Sequence, residues 1–427
     1  MRAKAALSGR LSPPGDKSIS HRALIFAALA NGQSRIDGLL LSDDVMATRS
    51  ALEQLGVSFS RDKDSLLVSG IGMTGLDKPA DVLDMGNSGT AMRLLAGVLA
   101  AQDFDSELCG DESLSKRPMG RILKPLRAMG ADIAATQAGT PPLKISGRRL
   151  QGIDYASPVA SAQVKTCVLL AGLYAEGNTS VTEPSPSRDH TERMLAMFGI
   201  ELGEHCSVTG GSQLQATEIR VPADISSAAF LLAAAAMVED SEICLENVGL
   251  NPTRDGFLRA LKLMGADVTW QNHSSTAEPA GDIRIRYNGR LKSIDLPPEW
   301  IPSMVDEVPV LMVLAATADG ITRIRGAGEL RVKESDRLSV MCAGLTQMGV
   351  RLKEFEDGAD IEGCSVFPDA VLESAGDHRC AMSFAVMGLL AASGHRIRGA
   401  GYISTSYPGF VRDMNSLGAT MMMNDLS

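Results

Sequence analysis

HRALIFAALANGQSRIDG, residues 21–38, runs from an unbroken apolar block at 23–30 through a small polar turn into an alternating stretch. The block leaves no polar face, so it reads as a helix buried on every side, and the alternation beyond the turn reads as a strand. The pattern returns as GTAMRLLAGVLAAQDFDSELCG (89–110), SAQVKTCVLLAGLYAEGNTSVTE (161–183), SSAAFLLAAAAMVEDSEICLENV (226–248), VPVLMVLAATADGITRIRGAG (308–328) and AMSFAVMGLLAASGHRIRGAG (381–401). A second motif follows every copy: a helix that ends in Gly and runs into a strand. Its instances are ALEQLGVSF (51–59), PLRAMGADI (125–133), MLAMFGIEL (194–202), ALKLMGADV (260–268), GLTQMGVRL (344–352) and MNSLGATMM (414–422). Glycine suits the residue just past a helix end, where φ is positive, and the residues after it alternate as a strand does. Copies spaced irregularly by about 66 to 84 residues are too far apart for a solenoid and match small α/β lobes grouped into domains. The expected fold class is α/β, with two similar domains, each of three repeated βαβαββ-type units around buried parallel helices.

A break falls near RVPADISSA (220–228), after the third copy, and the consecutive prolines of LSPPGD (11–16) hold the chain extended like a hinge. The expected division is 1–14 with 225–427 as one domain and 15–224 as the other, with the hinge near 12–15 and 221–225. The length of 427 residues accommodates two full cores. A formal net charge of −10 argues against a general nucleic-acid or acidic-membrane binder, without excluding one basic pocket. The seven Cys are scattered without a CxxC pair, the pattern of reduced thiols in a cytoplasm, and the six His show no metal-ligand spacing. The first residues carry no long apolar segment and no apolar run reaches membrane length. A cytoplasmic globular protein with no metal is expected.

The candidate chemistry sits where the buried helices open: DKSISHR (16–22), NSGTAMR (87–93), ASAQVK (160–165), DISSAAF (224–230), MVDEVP (304–309) and DHRCAMS (377–383). Lys17 and Arg22 stand at the positive end of a helix dipole, where cations are disfavoured unless an anion joins them. The plainer reading is a solvated cap in which Asp16 balances the charge. Parallel helices would bring such ends onto one surface per domain, and two of these surfaces facing across a hinge would make an anion-attracting cleft. SKRPMGR (115–121) puts Arg117 before a proline expected at the first helical position. In ELRVKESDRL (329–338), a helical reading puts Lys333 and Arg337 on one face with Glu334 adjacent; an ordinary charged surface helix is the alternative. GDKS shares its last two residues with the P-loop GxxxxGK[ST], but Asp16 separates Gly15 from Lys17, which excludes an ATPase on that motif.

With these residues in view, the chain resembles the 5-enolpyruvylshikimate-3-phosphate synthase family. The matching blocks are PPGDKSISHRALIFAALANG, GNSGTAMR, SLSKRPMGRILKPLRAMGA, SAQVKTCVLLAGL, ELRVKESDRL and DHRCAMSF, spread from residue 13 to beyond 380. SRDHTERM and DEVP are similar to its class II bacterial branch. The resemblance implies the enolpyruvyl transferase fold and a monomer. It also implies transfer of the enolpyruvyl group of phosphoenolpyruvate to the 5-hydroxyl of shikimate 3-phosphate, with release of phosphate. Carried over by motif, Lys17, Ser18, Arg22, Ser161, Gln163, Arg188, Asp306 and Lys333 would hold shikimate 3-phosphate. Lys17, Gly89, Arg117, Arg337 and Arg379 would hold phosphoenolpyruvate. Asp306 would take the 5-hydroxyl proton and Glu334 would protonate the methylene carbon, with Lys17 completing the catalytic set; no cofactor is implied. An N-cap role for Asp306 is the plainer alternative.

Glyphosate competes with phosphoenolpyruvate in this family, and insensitive class II members carry Ala where Gly89 stands, so the resemblance implies inhibition here. The chain departs from class I in two places. Thr405 of STSYP replaces a Lys, and Ala162 interrupts a Ser-Ser-Gln run. The rival reading is the UDP-N-acetylglucosamine enolpyruvyl transferase family, which carries a Cys five residues before the Arg matching Arg117. Glu112 occupies that position and Cys109 is out of register. A non-catalytic anion-binding protein on the same scaffold is the other alternative, and the presence of both Asp306 and Glu334 speaks against it.

Overall fold

The computed structural model describes residues 2–3, 6–273, 277–391 and 394–423; residues 392–393 of the sixth repeat lie outside them. The chain divides into two compact units, Met1–Pro14 with Pro222–Ser427 and Gly15–Val221. The second break therefore precedes the expected 224/225. Residues 222–224 go with the helix that follows, because the Asp224 carboxylate accepts from Ser226 N at 2.9 Å and Asp224 N donates to Pro14 O at 2.8 Å.

Among the described residues the α-helices fall into six pairs. The inner members are Lys17–Leu29, Gly89–Leu99, Ala162–Tyr174, Ile225–Met237, Val308–Thr317 and His378–Met387. All are apolar nearly all round, and every residue of Ile225–Met237 is buried. Each fully buried Leu, Ile or Phe of this kind contributes about 1.5–3 kcal/mol. Small side chains let these helices approach closely: a Cβ on Gly97 would sit 2.4 Å from the Cys167 carbonyl oxygen of the neighbouring inner helix. That closeness suits a chain with only 4% aromatic residues.

The outer members are Asp43–Gln54, Gly120–Ala128, His190–Met197, Gly256–Leu263, Arg337–Gln347 and Phe410–Ser416. Each is followed by the Gly read from the sequence, and all six of these glycines (56, 130, 199, 265, 349 and 418) have positive φ. They release the chain into a strand at the only residue type that takes this conformation without strain.

The repeated sheet is clearest in the second copy. In chain order it is Leu83–Asp84, Gly89–Leu99, Asp105–Cys109, Gly120–Ala128, Asp132–Ala134 and Leu143–Ser146, a βαβαββ unit. Leu83–Asp84 lies parallel to Asp105–Cys109, which pairs antiparallel with Leu143–Ser146 and through it with Asp132–Ala134. The first and fourth copies repeat this arrangement with borrowed leading strands. Glu218–Arg220 lies parallel to Asn31–Asp37, and Ser8–Leu11 lies parallel to Glu242–Gly249. The second pairing explains why the first fourteen residues belong with the second half of the chain.

Candidate active site

In the unit Gly15–Val221, hydrogen bonds join the first turns of the inner helices. Arg22 is 2% exposed; its Nε donates to Thr191 Oγ1 at 2.8 Å and its Nη2 to Thr166 Oγ1 at 2.7 Å and Ala162 O at 3.4 Å. Gln163 Nε2 donates to Thr90 Oγ1 at 2.9 Å, and Gln163 Oε1 accepts from Arg93 Nη1 at 2.6 Å. Helices tied at the same end run side by side with their dipoles adding, so their N–H groups and cations share one surface.

Lys17 is half-buried and pairs with the buried Asp44 carboxylate, in the first turn of Asp43–Gln54. Asp16 caps its own helix through Ile19 N at 2.8 Å but is buried rather than solvated, and Asp44 meets the Lys17 charge. Gly89 opens its helix behind the cap Ser88, with Arg93 and Arg117 guanidinium groups against it. Arg117 Nη2 donates to Asn87 Oδ1 at 2.5 Å. Ser161 N donates to Glu183 Oε1 at 2.8 Å, and Glu183 also accepts from Ser187 Oγ at 2.7 Å, which fixes the segment carrying Arg188. Behind them Lys165 bridges Glu183 at 3.0 Å and Glu192 at 2.5 Å. Burial opposes the Lys165 charge, but the two carboxylates outweigh it and raise its pKa.

His21, fully buried beside Lys17, lies 2.7 Å from Thr48 Oγ1 through Nδ1. Burial pushes its pKa well below 6.5, and the Lys17 and Arg22 cations add to the effect against a smaller pull from Asp16. In the unfolded chain His21 takes up a proton near its ordinary value, so below it the unfolded state binds more protons and stability falls with pH. The slope for one such group reaches about 1.4 kcal/mol per pH unit. The thermal midpoint should therefore drop from pH 7.5 to pH 5, and less steeply in His21→Gln. Identical slopes in the two proteins would assign the pH dependence elsewhere.

In the other unit one guanidinium organises the carboxylates. Arg337, 1% exposed, donates from Nε to Asp377 Oδ2 at 2.7 Å, from Nη1 to Asp306 Oδ1 at 3.1 Å and from Nη2 to Glu334 Oε2. Burial opposes its charge, yet Asp377, Glu334 and Asp306 together raise its pKa. Arg379 Nη1 donates to the Asp306 carbonyl at 3.3 Å, and Asp377 caps the helix of Arg379 at 2.8 Å. The Lys333 side chain keeps 26% of its surface exposed, with Nζ 3.7 Å from Glu329. Burial lowers its pKa against opposing pulls from Asp306, Glu329 and Glu334, in that order.

Three local readings need correction. Lys333 and Glu334 lie in a bend, and the helix begins at Arg337 with Asp336 as its cap, so Lys333 and Arg337 are not one helical turn apart. Pro118 follows a 3-10 turn and precedes the cap Met119, because the helix starts at Gly120; it is not the first helical residue. Asp306 lies in the 3-10 turn Val305–Glu307 and the cap position falls to Glu307, which leaves the Asp306 carboxylate to Arg337. Thr405, at the class I Lys position, donates to Tyr402 O at 2.7 Å and lies 3.2 Å from His378 Nδ1. The sequence reading missed Arg93, Asp44 and Asp377. Arg93 was accessible, being one turn from Gly89 on the same helix face.

These features define an α/β protein of two units, each presenting cation-rich helix openings, with an Arg-held carboxylate cluster in one of them. A model of the EPSP synthase family (3-phosphoshikimate 1-carboxyvinyltransferase) matches residues 1–414, and the chain belongs to that family. The 3-phosphoshikimate 1-carboxyvinyltransferase of Xanthomonas oryzae pv. oryzae (strain PXO99A) is 53% identical over 411 residues, 95% of this chain and 93% of that protein. Its counterpart in Xanthomonas campestris pv. campestris (strain B100) is 52% identical over the same shares. The solved EPSP synthase from Acinetobacter baumannii superposes with a TM-score of 0.87 at 48% identity, covering 98% of both chains. No helix among the described residues is long and apolar enough to cross a membrane.

Proposed function

We infer that this protein transfers the enolpyruvyl group of phosphoenolpyruvate to the 5-hydroxyl of shikimate 3-phosphate and releases phosphate, a step toward chorismate and the aromatic amino acids. The observation that carries the chemistry is the single buried guanidinium of Arg337 gripping both Asp306 and Glu334. Addition needs a base for the 5-hydroxyl proton and an acid for C3, in opposite protonation states at the start. Asp306 takes the hydroxyl proton as its oxygen bonds to C2, and Glu334 delivers a proton to C3, giving a tetrahedral intermediate. Elimination returns a C3 proton to Glu334 and breaks the C2–O bond to phosphate, which leaves with the proton that Asp306 took from the hydroxyl.

Both substrates carry a phosphate and a carboxylate, which accounts for the number of donors. Shikimate 3-phosphate falls to Lys17, Ser18, Ser161, Gln163, Arg188, Asp306 and Lys333. Arg22 joins that set, held in place by Thr191, Thr166 and Ser18 O as a tie between helices. Phosphoenolpyruvate falls to Lys17, Gly89, Arg117, Arg337 and Arg379, with planar guanidinium forks suited to its carboxylate and phosphate. Phosphate should appear only when purified protein receives both substrates. No release from the two together, or release with UDP-N-acetylglucosamine in place of shikimate 3-phosphate, would overturn the assignment.

The same reading extends to glyphosate through Gly89 and the two guanidinium groups beside it. A Cβ on Gly89 would sit 3.0 Å from Arg93 Nη1 and 3.3 Å from Arg117 Nη1, the mobile ends of two side chains. The fold therefore tolerates Gly89→Ala, and the crowding falls on whatever anion those guanidinium groups hold. A longer inhibitor meets the clash that compact phosphoenolpyruvate avoids, at a cost of about 1–3 kcal/mol. The ratio of inhibition constant to phosphoenolpyruvate KM should rise about 5- to 150-fold in Gly89→Ala. An unchanged ratio in parallel inhibition curves would remove Gly89 from the inhibitor's contacts.

A further inference from the structure

Next to Asp306 stands a carboxylate that the reaction does not use. Glu307 is 1% exposed, and its Oε1 accepts from Ser226 Oγ and lies 3.4 Å from Arg254 Nη2. Arg254 is 3% exposed, donates from Nη2 to Ser226 Oγ at 2.7 Å and stands 3.5 Å from Asp224 Oδ1. Its backbone is held by the Asn251 turn: Asn251 Oδ1 accepts from Thr253 N at 2.8 Å, and Arg254 N donates to Asn251 O at 2.8 Å. Glu307 Oε2 is buried without a hydrogen-bond partner.

Such a pair is a poor device for stability alone. Desolvating two charges consumes most of their attraction, and well-packed apolar residues do as well or better. An unpartnered carboxylate oxygen makes the balance worse. What the pair does supply is geometry. Glu307 points inward to Arg254 and Ser226 while its neighbour Asp306 points to Arg337, so the peptide between them is gripped on both sides. Ser226 lies in the first turn of Ile225–Met237 and Glu307 directly precedes Val308–Thr317, so the grip also registers these two helix openings against each other.

We propose that Arg254 and Glu307 are positioning residues for the Asp306 carboxylate, a role that rests on the enolpyruvyl transfer reading above. They touch no substrate; they fix the turn Val305–Glu307 so that Asp306 meets the hydroxyl at a reactive distance. A misplacement of about 1 Å at a reacting group costs ~100-fold, so Glu307→Gln should lower kcat about 10- to 100-fold. The KM values for both substrates should stay within about threefold, because the donors that bind the anions are elsewhere.

The test compares phosphate release by full-length wild type, Glu307→Gln and Arg254→Lys, each also in an Asp306→Asn background. Positioning predicts that both single variants lose kcat in the protein with Asp306 intact and lose nothing further in the Asp306→Asn background. A merely structural role would lower activity equally in both backgrounds, and that result overturns the proposal. So does a Glu307→Gln kcat within twofold of wild type. If circular dichroism shows Glu307→Gln unfolded, Arg254→Lys, which keeps the charge and loses the fork, carries the comparison. Unfolding of both overturns it, since the pair would then be holding helices rather than a carboxylate. A wild type that releases no phosphate from the two substrates refutes the transfer reading instead, separately from these outcomes.

Discussion

Turnover is expected to fall about 100- to 10,000-fold in Asp306→Asn and in Glu334→Gln, the range spanned by single proton-transfer groups. Each substitution keeps the side-chain volume and an oxygen that still accepts from Arg337, so the arrangement around the guanidinium survives. Neither leaves a group that can exchange a proton at the reacting atom. In Asp306→Asn the new amide would hold the hydroxyl without accepting its proton. In Glu334→Gln the amide would face C3 with nothing acidic to give it. Calorimetric affinities for shikimate 3-phosphate should therefore change far less than kcat. Near-wild-type turnover in either variant would strip that residue of its catalytic role, whatever its position in the cluster.

The two variants differ in one informative respect. Asp306 is also held through its backbone, since its carbonyl accepts from Arg379, whereas Glu334 lies in a bend and its side chain is 18% exposed. Asp306 thus has a backbone tie beside its carboxylate bond to Arg337, and Glu334 is held through its carboxylate. Water reaching this partly exposed side chain can stand in for the missing acid. Residual activity should accordingly be higher in Glu334→Gln than in Asp306→Asn.

The repeat was legible because its two markers are local. An apolar run without a polar face and a Gly ending a helix both depend on residues within one turn, and the six glycines carry the positive φ the reading required. The candidate residues were legible as types at helix openings for the same reason. Their partners were not. Lys17 is met by Asp44 from another helix, Arg337 by Asp377 forty residues on, and Gln163 by Arg93 across two inner helices. Side-chain pairing at that separation is set by tertiary packing, which no local period reports. The failures around Lys333, Pro118 and Asp306 are also of one kind. Each lies a few residues before a helix start, where a 3-10 turn or bend replaces the first helical turn and rotates the side chains to other partners.

Arg337→Met should be the most destabilising change in the cluster, and it should abolish activity as well. Arg337 is the common partner of Asp306, Glu334 and the fully buried Asp377, and removing it takes the ion-pair partner from Asp377 in low dielectric, while Asp306 keeps Arg379 Nε at 3.8 Å. Breaking a buried pair from one side costs about 3–5 kcal/mol, more than the pair itself contributes, because the abandoned charge must be desolvated alone. Asp377 cannot swing out to water: it is 0% exposed and caps the helix His378–Met387 through Arg379 N and Cys380 N. Trp270 and Trp300 both belong to the unit that contains Arg337, so tryptophan emission follows the melting of that unit by itself. Its midpoint should fall sharply in Arg337→Met. Arg337→Lys should recover part of the stability, since a single ammonium restores the charge, but little of the activity, since it cannot span three carboxylates as the fork does. In an Asp377→Asn background the further cost of Arg337→Met should shrink, because one of the stranded charges is already gone. Equal costs in the two backgrounds would mean that Arg337 stabilises the unit by packing rather than by charge, and the cluster would lose its place as the element that holds base and acid together.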